Sequence, residues 1–116
     1  MPTADLIRLR HMLDAVIEAL SFAHDRVRTD LDRNRMLVLS LVKAVEIVGE
    51  AAYQVSDPTR AQLPQIPWDD MVGMRHRLVH AYFAINLDIL WQTVRNDLPP
   101  LITILQSIVP DDAGRL

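Results

Sequence analysis

Residues 33–55 read RNRMLVLSLVKAVEIVGEAAYQV, and the reading of this stretch decides the fold. Met36, Leu37, Leu39, Leu41, Val42, Val45, Ile47, Val48, Ala51 and Ala52 cover most of the circumference of a helix. Polar residues are confined largely to Ser40, Lys43, Glu46, Glu50 and Gln54. A helix this apolar is buried on two sides. In a small domain it is either the central helix of a bundle or a surface shared with a second subunit. Asp30 or Asp32 is the expected cap.

The flanking sequence is also helical in pattern. Over residues 4–24, Leu6, Leu9, Leu13, Val16, Ile17 and Leu20 recur at steps of three and four, which makes one apolar stripe. Thr3 is the expected N-cap, and Asp5 lies in the first turn, where negative charge is favoured. On the other side, Asp57 and Pro58 predict a short helical turn over 58–62, and Pro64 and Pro67 then hold an extended stretch. A third helix is expected over 68–81, with Asp69 and Asp70 in its first turn. A fourth starts from Asn86 as cap, is kinked or broken at Pro99 and Pro100, and resumes through Leu101, Ile104, Leu105 and Ile108. Nothing reads as a strand, so the expectation is all-α: one domain over 1–116, a four- to five-helix up-and-down bundle.

Composition narrows the function. The chain has 116 residues, too few for two separate cores. No cysteine is present, which removes disulfides, thiolate zinc sites and cysteine nucleophiles and fits a reducing cytoplasm. No apolar run reaches membrane-spanning length, and Asp5, Arg8, Arg10 and Asp14 interrupt any signal core. The net charge of −3 argues against a non-specific nucleic-acid binder. The cations cluster, however, at Arg26, Arg28, Arg33 and Arg35 and again at Arg75 and Arg77, so a locally basic cleft can still hold an anion.

The chemistry-bearing segment is Met74-Arg75-His76-Arg77-Leu78-Val79-His80-Ala81-Tyr82. Histidine moves protons near neutral pH, and arginine offers a fixed fork of donors suited to phosphate. Three readings compete. In the first, the segment cleaves RNA without a metal: a histidine takes the proton of a ribose 2′-hydroxyl, and arginine stabilises the charge building on the phosphate. In the second, His76 and His80, at i and i+4, hold a metal; this lacks a Glu beside the first histidine, because position 77 is Arg. In the third, the segment is a solvated helix face helped by the C-terminal dipole. On a continuous helix Arg75 and His80 lie about 140° apart and do not face each other. A long arginine stem, a helix that loosens before His80, or a two-fold partner would each bring them together. Glu50 is a polar-face residue or a partner of a motif arginine. His11 and His24 read as surface residues, and Trp68 and Trp91 as core anchors.

This segment resembles the Arg-x4-His-x-Tyr signature of HepT-like HEPN proteins. Val48-Gly49-Glu50-Ala51-Ala52, Ile66-Pro67-Trp68, Ile89-Leu90-Trp91 and Asp97-Leu98-Pro99 resemble further segments of the same family, so the similarity spans about residues 4–109. The resemblance implies a dimeric helical bundle and a metal-independent endoribonuclease toxin without cofactor, its site at the dimer interface. It implies that Arg75 and His80 are catalytic and that Tyr82 is AMPylated by a cognate MntA-like nucleotidyltransferase antitoxin. Partners would then be RNA, a second copy and that antitoxin, with no membrane. His76 departs from the family's usual Asn; with Arg77 and Glu50 it is an auxiliary candidate. The competing class is a non-catalytic helical nucleotide- or protein-binding partner of the nucleotidyltransferase.

Overall fold

The central helix and its neighbours set the architecture. The computed structural model describes residues 1–81 and 84–110, and side chains throughout these except at 79–81. α1 (Thr3–Ala23) packs along α3 (Arg35–Gln54), with a single turn, α2 (Asp30–Arg33), in the connection. α4 (Asp57–Gln62) follows, and α5 (Trp68–Leu78) lies against α3. Two short strands, β1 (Val79–Ala81) and β2 (Ala84–Ile85), lead into α6 (Leu87–Gln92), a π-helical turn (Thr93–Asp97) and α7 (Pro99–Ile108), which returns to α1. The fold is an all-α bundle. No helix among the described residues is long and apolar enough to cross a membrane.

The core draws on each long helix: Leu9, Met12 and Val16 from α1, Leu41, Val45 and Val48 from α3, Met71, Met74 and Leu78 from α5, and Leu101 and Leu105 from α7 are all buried. Each such side chain contributes roughly 1.5–3 kcal/mol on burial. α3 is thus the central helix on two of its sides. Its third side stays open, with Met36 80% and Tyr53 66% exposed.

Several helix ends differ from expectation, each for a local reason. Thr3 lies inside α1, and the capping position is Pro2, without a side-chain cap. α1 stops at Ala23, followed by Asp25 with φ 58°. The cap of α3 is Asn34, whose Oδ1 accepts from the Leu37 N–H at 3.0 Å. Asp30 opens α2 instead and accepts from the Val27 N–H at 2.8 Å. Asn86 caps α6 as expected, accepting from the Ile89 N–H at 3.0 Å. The prolines do not break a running helix: Pro99 starts α7, and the distortion falls upstream in the π-helical turn, where the Leu98 N–H reaches the Thr93 carbonyl at 3.0 Å.

The largest correction concerns the motif helix, expected over 68–81. α5 ends at Leu78, and the chain enters an antiparallel ribbon in which Val79 pairs with Ile85 and Ala81 with Ala84. The Leu78 carbonyl accepts from the Asn86 N–H at 2.8 Å, so it is committed to closing the ribbon. Buried Leu78 fixes that junction in the core.

Asp5 does more than favour the start of its own helix. It is buried, and its carboxylate accepts from the Ser56 N–H at 3.0 Å, from Ser56 Oγ at 2.6 Å and from Thr59 Oγ1. It therefore binds the N-terminus of α4 to that of α1. The Ser56 and then the Thr59 hydroxyl bonds hold its carboxyl below the usual carboxylate range.

Candidate active site

α5 approaches α3 closely because Gly49 has no side chain. A Cβ there would meet the Met71 carbonyl oxygen at 3.2 Å, and helix backbone yields little. This contact sets the height at which Arg75 leaves α5. Its Nε lies 3.6 Å from Glu46 Oε1, and the side chain remains 61% exposed. Glu46 is one turn before Glu50 on α3, so both carboxylates face the same side as Arg75.

Two clefts meet at this point. One, of about 540 Å³, is lined by Arg8 and His11 from α1, by Lys43, Glu46 and Glu50 from α3, and by Arg75. The other, of about 260 Å³, shares Glu46, Glu50 and Arg75 and adds Tyr53 and His76. Arg75 thus stands where the two join. The trough crosses the open face of α3 and carries cations, carboxylates, imidazoles and one exposed aromatic ring.

The expected site residues separate in this geometry. Arg75, His76 and Glu50 come together around the trough. Arg77 does not. It leaves the other side of α5, where Nη2 donates to the Asp70 carbonyl at 3.1 Å and Nη1 lies 3.4 Å from Asp70 Oδ1. It lines a separate groove with Asn96 and Asp97. His80 belongs to β1, not to the helix carrying Arg75 and His76. A metal site built on His76 and His80 one turn apart therefore loses the continuous helix it requires. Tyr82 lies outside the described residues.

Other sequence features prove to be architectural. Arg28 binds Asp88 at 2.7 Å and Asp32 at 3.2 Å, which ties the α1–α3 connection to α6 and raises the arginine pKa, chiefly through Asp88. Arg60 donates to the carbonyls of Ala52, Tyr53 and Val55 at 3.0–3.1 Å and so closes the C-terminus of α3. It also lies 5.6 Å from the Trp68 ring, whose N–H donates to the Leu63 carbonyl at 3.1 Å.

Comparison with known proteins gives the site its setting. The profile of the HepT-like family, described as Ribonuclease HepT-like, matches residues 12–108. The chain belongs to the HepT-like ribonuclease family. It is 32% identical over 93 residues to a protein of Methanocaldococcus jannaschii named provisionally as an RNase, covering 80% of this chain and 85% of that one. It is also 32% identical to a Probable ribonuclease HepT of Thermococcus cleftensis, covering 77% and 84% of the two chains. A provisionally named RNase of Caldanaerobacter subterraneus is 30% identical, with 86% and 93% covered. No solved structure is a significant match.

Within this HepT-like chain the sequence marks Arg75, His76 and Glu50 as candidates, while Glu46, Arg8, Lys43 and Tyr53 carry no motif and His11 reads as a surface residue although it is half-buried and lines the larger cleft. Part of the signal was present. Arg8 and His11 stand at i and i+3 off the apolar stripe of α1, while Lys43, Glu46 and Glu50 repeat along one face of α3. Nothing in the local pattern showed that these faces converge on Arg75.

Proposed function

We propose that this HepT-like protein is a metal-independent endoribonuclease toxin that acts through Arg75 and His80 and is neutralised at Tyr82. The observation that carries this reading is the state of Arg75. Its guanidinium sits at the junction of two clefts, largely exposed, and its ion-pair partner among the described residues is Glu46 at 3.6 Å. An exposed pair of this kind is worth at most about 1 kcal/mol. A phosphodiester can take the guanidinium over with charge-assisted, bidentate bonds at little cost.

In this reading His80 takes the proton of a ribose 2′-hydroxyl. The 2′-oxygen attacks the adjacent phosphorus, the bond to the 5′-oxygen breaks, and that oxygen accepts a proton. The products are a 2′,3′-cyclic phosphate and a 5′-hydroxyl. Arg75 stabilises the charge on the phosphoryl oxygens. General base and arginine each supply on the order of 3–5 kcal/mol. His76, beside Arg75 in the smaller cleft, is the auxiliary candidate for orienting the phosphate or delivering a proton.

A second copy of the chain belongs to the proposal. α3 leaves Met36, Leu39 and Tyr53 exposed, and α1 leaves Ile17 and Phe22 exposed. A two-fold partner covering this surface would also bring a second Arg75 and His80, so acid and base can come from different chains. Control falls to Tyr82. A minimal nucleotidyltransferase would join its hydroxyl oxygen to the α-phosphorus of ATP, with loss of the hydroxyl proton and of pyrophosphate. The added charge and bulk repel an RNA backbone.

The test uses EDTA-treated protein and single-stranded RNA. The expected result is cleavage with 2′,3′-cyclic phosphate ends; activity that EDTA removes contradicts the proposal. Co-expression with the nucleotidyltransferase should add AMP mass to the peptide containing Tyr82, and an unmodified tyrosine in a neutralised protein contradicts that step.

A further inference from the structure

We propose that Arg8, His11 and Lys43 form a subsite for a second phosphate of single-stranded RNA, next to the phosphate at Arg75. The inference rests on the ribonuclease reading and adds a ligand-binding role for α1. Arg8 and His11 are one turn apart and share a face of α1. Lys43 lies across the α1–α3 seam, and all three line the same cleft as Arg75. At about 540 Å³ the cleft falls within the range of small-ligand sites of roughly 300–1,000 Å³.

The charges favour an anion there. The whole chain carries −3, yet this cleft holds three permanent cations, Arg8, Lys43 and Arg75, against two carboxylates, Glu46 and Glu50, a local excess of one positive charge. Glu46 is already turned toward Arg75. Among the described residues neither Arg8 nor Lys43 is engaged in an ion pair, unlike Arg10, Arg28, Arg75 and Arg77. Arg8 is half-buried, which limits the water competing for its guanidinium and presents a fixed fork of donors to a phosphate. Lys43 is exposed and supplies a movable charge at the rim, while His11 is half-buried between them. RNA held at two phosphates would be fixed in register as well as in place.

The test is the salt dependence of binding of a short 2′-O-methyl oligoribonucleotide of mixed sequence, which lacks the attacking hydroxyl. Fluorescence anisotropy would compare the wild-type chain, the double variant Arg8→Ala/Lys43→Ala, the single variants Lys43→Ala and Lys43→Glu, and Arg33→Ala as a control outside the trough, with circular dichroism to confirm folding. The expected result for the double variant is binding about tenfold weaker at low salt and a log–log salt slope shallower by about 0.7, the loss of one phosphate contact on a single strand. Lys43→Glu should weaken binding further than removal of Lys43 alone, and Arg33→Ala should leave the slope unchanged. If the wild-type chain cleaves RNA while Arg8→Ala/Lys43→Ala and Lys43→Glu keep its affinity and slope, the subsite is overturned and the ribonuclease reading stands. If the wild-type chain neither binds nor cuts RNA, both are overturned.

Discussion

The two sides of α5 carry the same residue type in opposite states. Toward α3, Arg75 projects into a trough, is 61% exposed and meets Glu46 at 3.6 Å. Toward α7, Arg77 is fixed to Asp70 through both its carbonyl and its carboxylate. The two arginines are separated by one residue, so composition does not distinguish them, and the motif spacing that marks Arg75 says nothing of how either is held. Their partners do. A guanidinium bonded to a backbone carbonyl and a carboxylate of its own helix is committed to structure. One held by a long, exposed ion pair between two clefts can be borrowed by a substrate.

This contrast is breakable by mutation. The largest effect is expected at Arg75: Arg75→Ala should lower kcat by about 10²–10³, the usual loss of an oxyanion donor, with the melting temperature little changed. Single-turnover cleavage beside thermal denaturation measures both, and a loss of stability matching the loss of rate would make Arg75 a structural residue. Asp5→Ala should act in the opposite register. It leaves the Ser56 and Thr59 donors without their acceptor and should cost about 2–3 kcal/mol of stability by urea denaturation.

Asp5 also gives the fold a pH dependence of known sign. Its folded pKa is depressed below the unfolded value, so its stabilisation is fully present above the ordinary carboxylate pKa of about 3.9 and is lost as pH falls through the folded value. Asp5→Asn should flatten the acid limb of the stability–pH curve, and an unchanged limb would remove Asp5 from the account. A smaller effect, about 1–2 kcal/mol, is expected for Gly49→Ala, because the new methyl presses on the Met71 carbonyl. Cleavage should fall with it, as the contact shifts α5 slightly against α3 and carries Arg75 with it. Arg77→Ala completes the series: less than about 0.5 kcal/mol in stability, as for an exposed pair, and cleavage close to wild type.

The helical architecture was legible because long amphipathic segments repeat their signal over several turns. The excess of apolar residues on 33–55 pointed to the central helix, and Asn86 announced α6. Short-range and long-range features were not legible for different reasons. The ribbon after Leu78 is too brief to show an alternation, and it depends on an Asn86 N–H eight residues away. The role of Asp5 depends on Ser56 and Thr59, far along the chain. At the site, the motif arginine stood out through its spacing. Glu46, Arg8, His11 and Lys43 did not, because their shared cleft exists only once three helices are packed.

The helix end at Leu78 bears most directly on the chemistry. It places Arg75 on α5 and the backbone of His80 in β1, two elements with separate orientations, so the angular mismatch of a continuous helix no longer applies. The decisive measurement is single-turnover RNA cleavage by His80→Ala in EDTA, on protein whose circular dichroism and melting match the wild type. The account predicts loss of cleavage by at least about 10², the share of a general base. Cleavage at the wild-type rate by folded His80→Ala would contradict it.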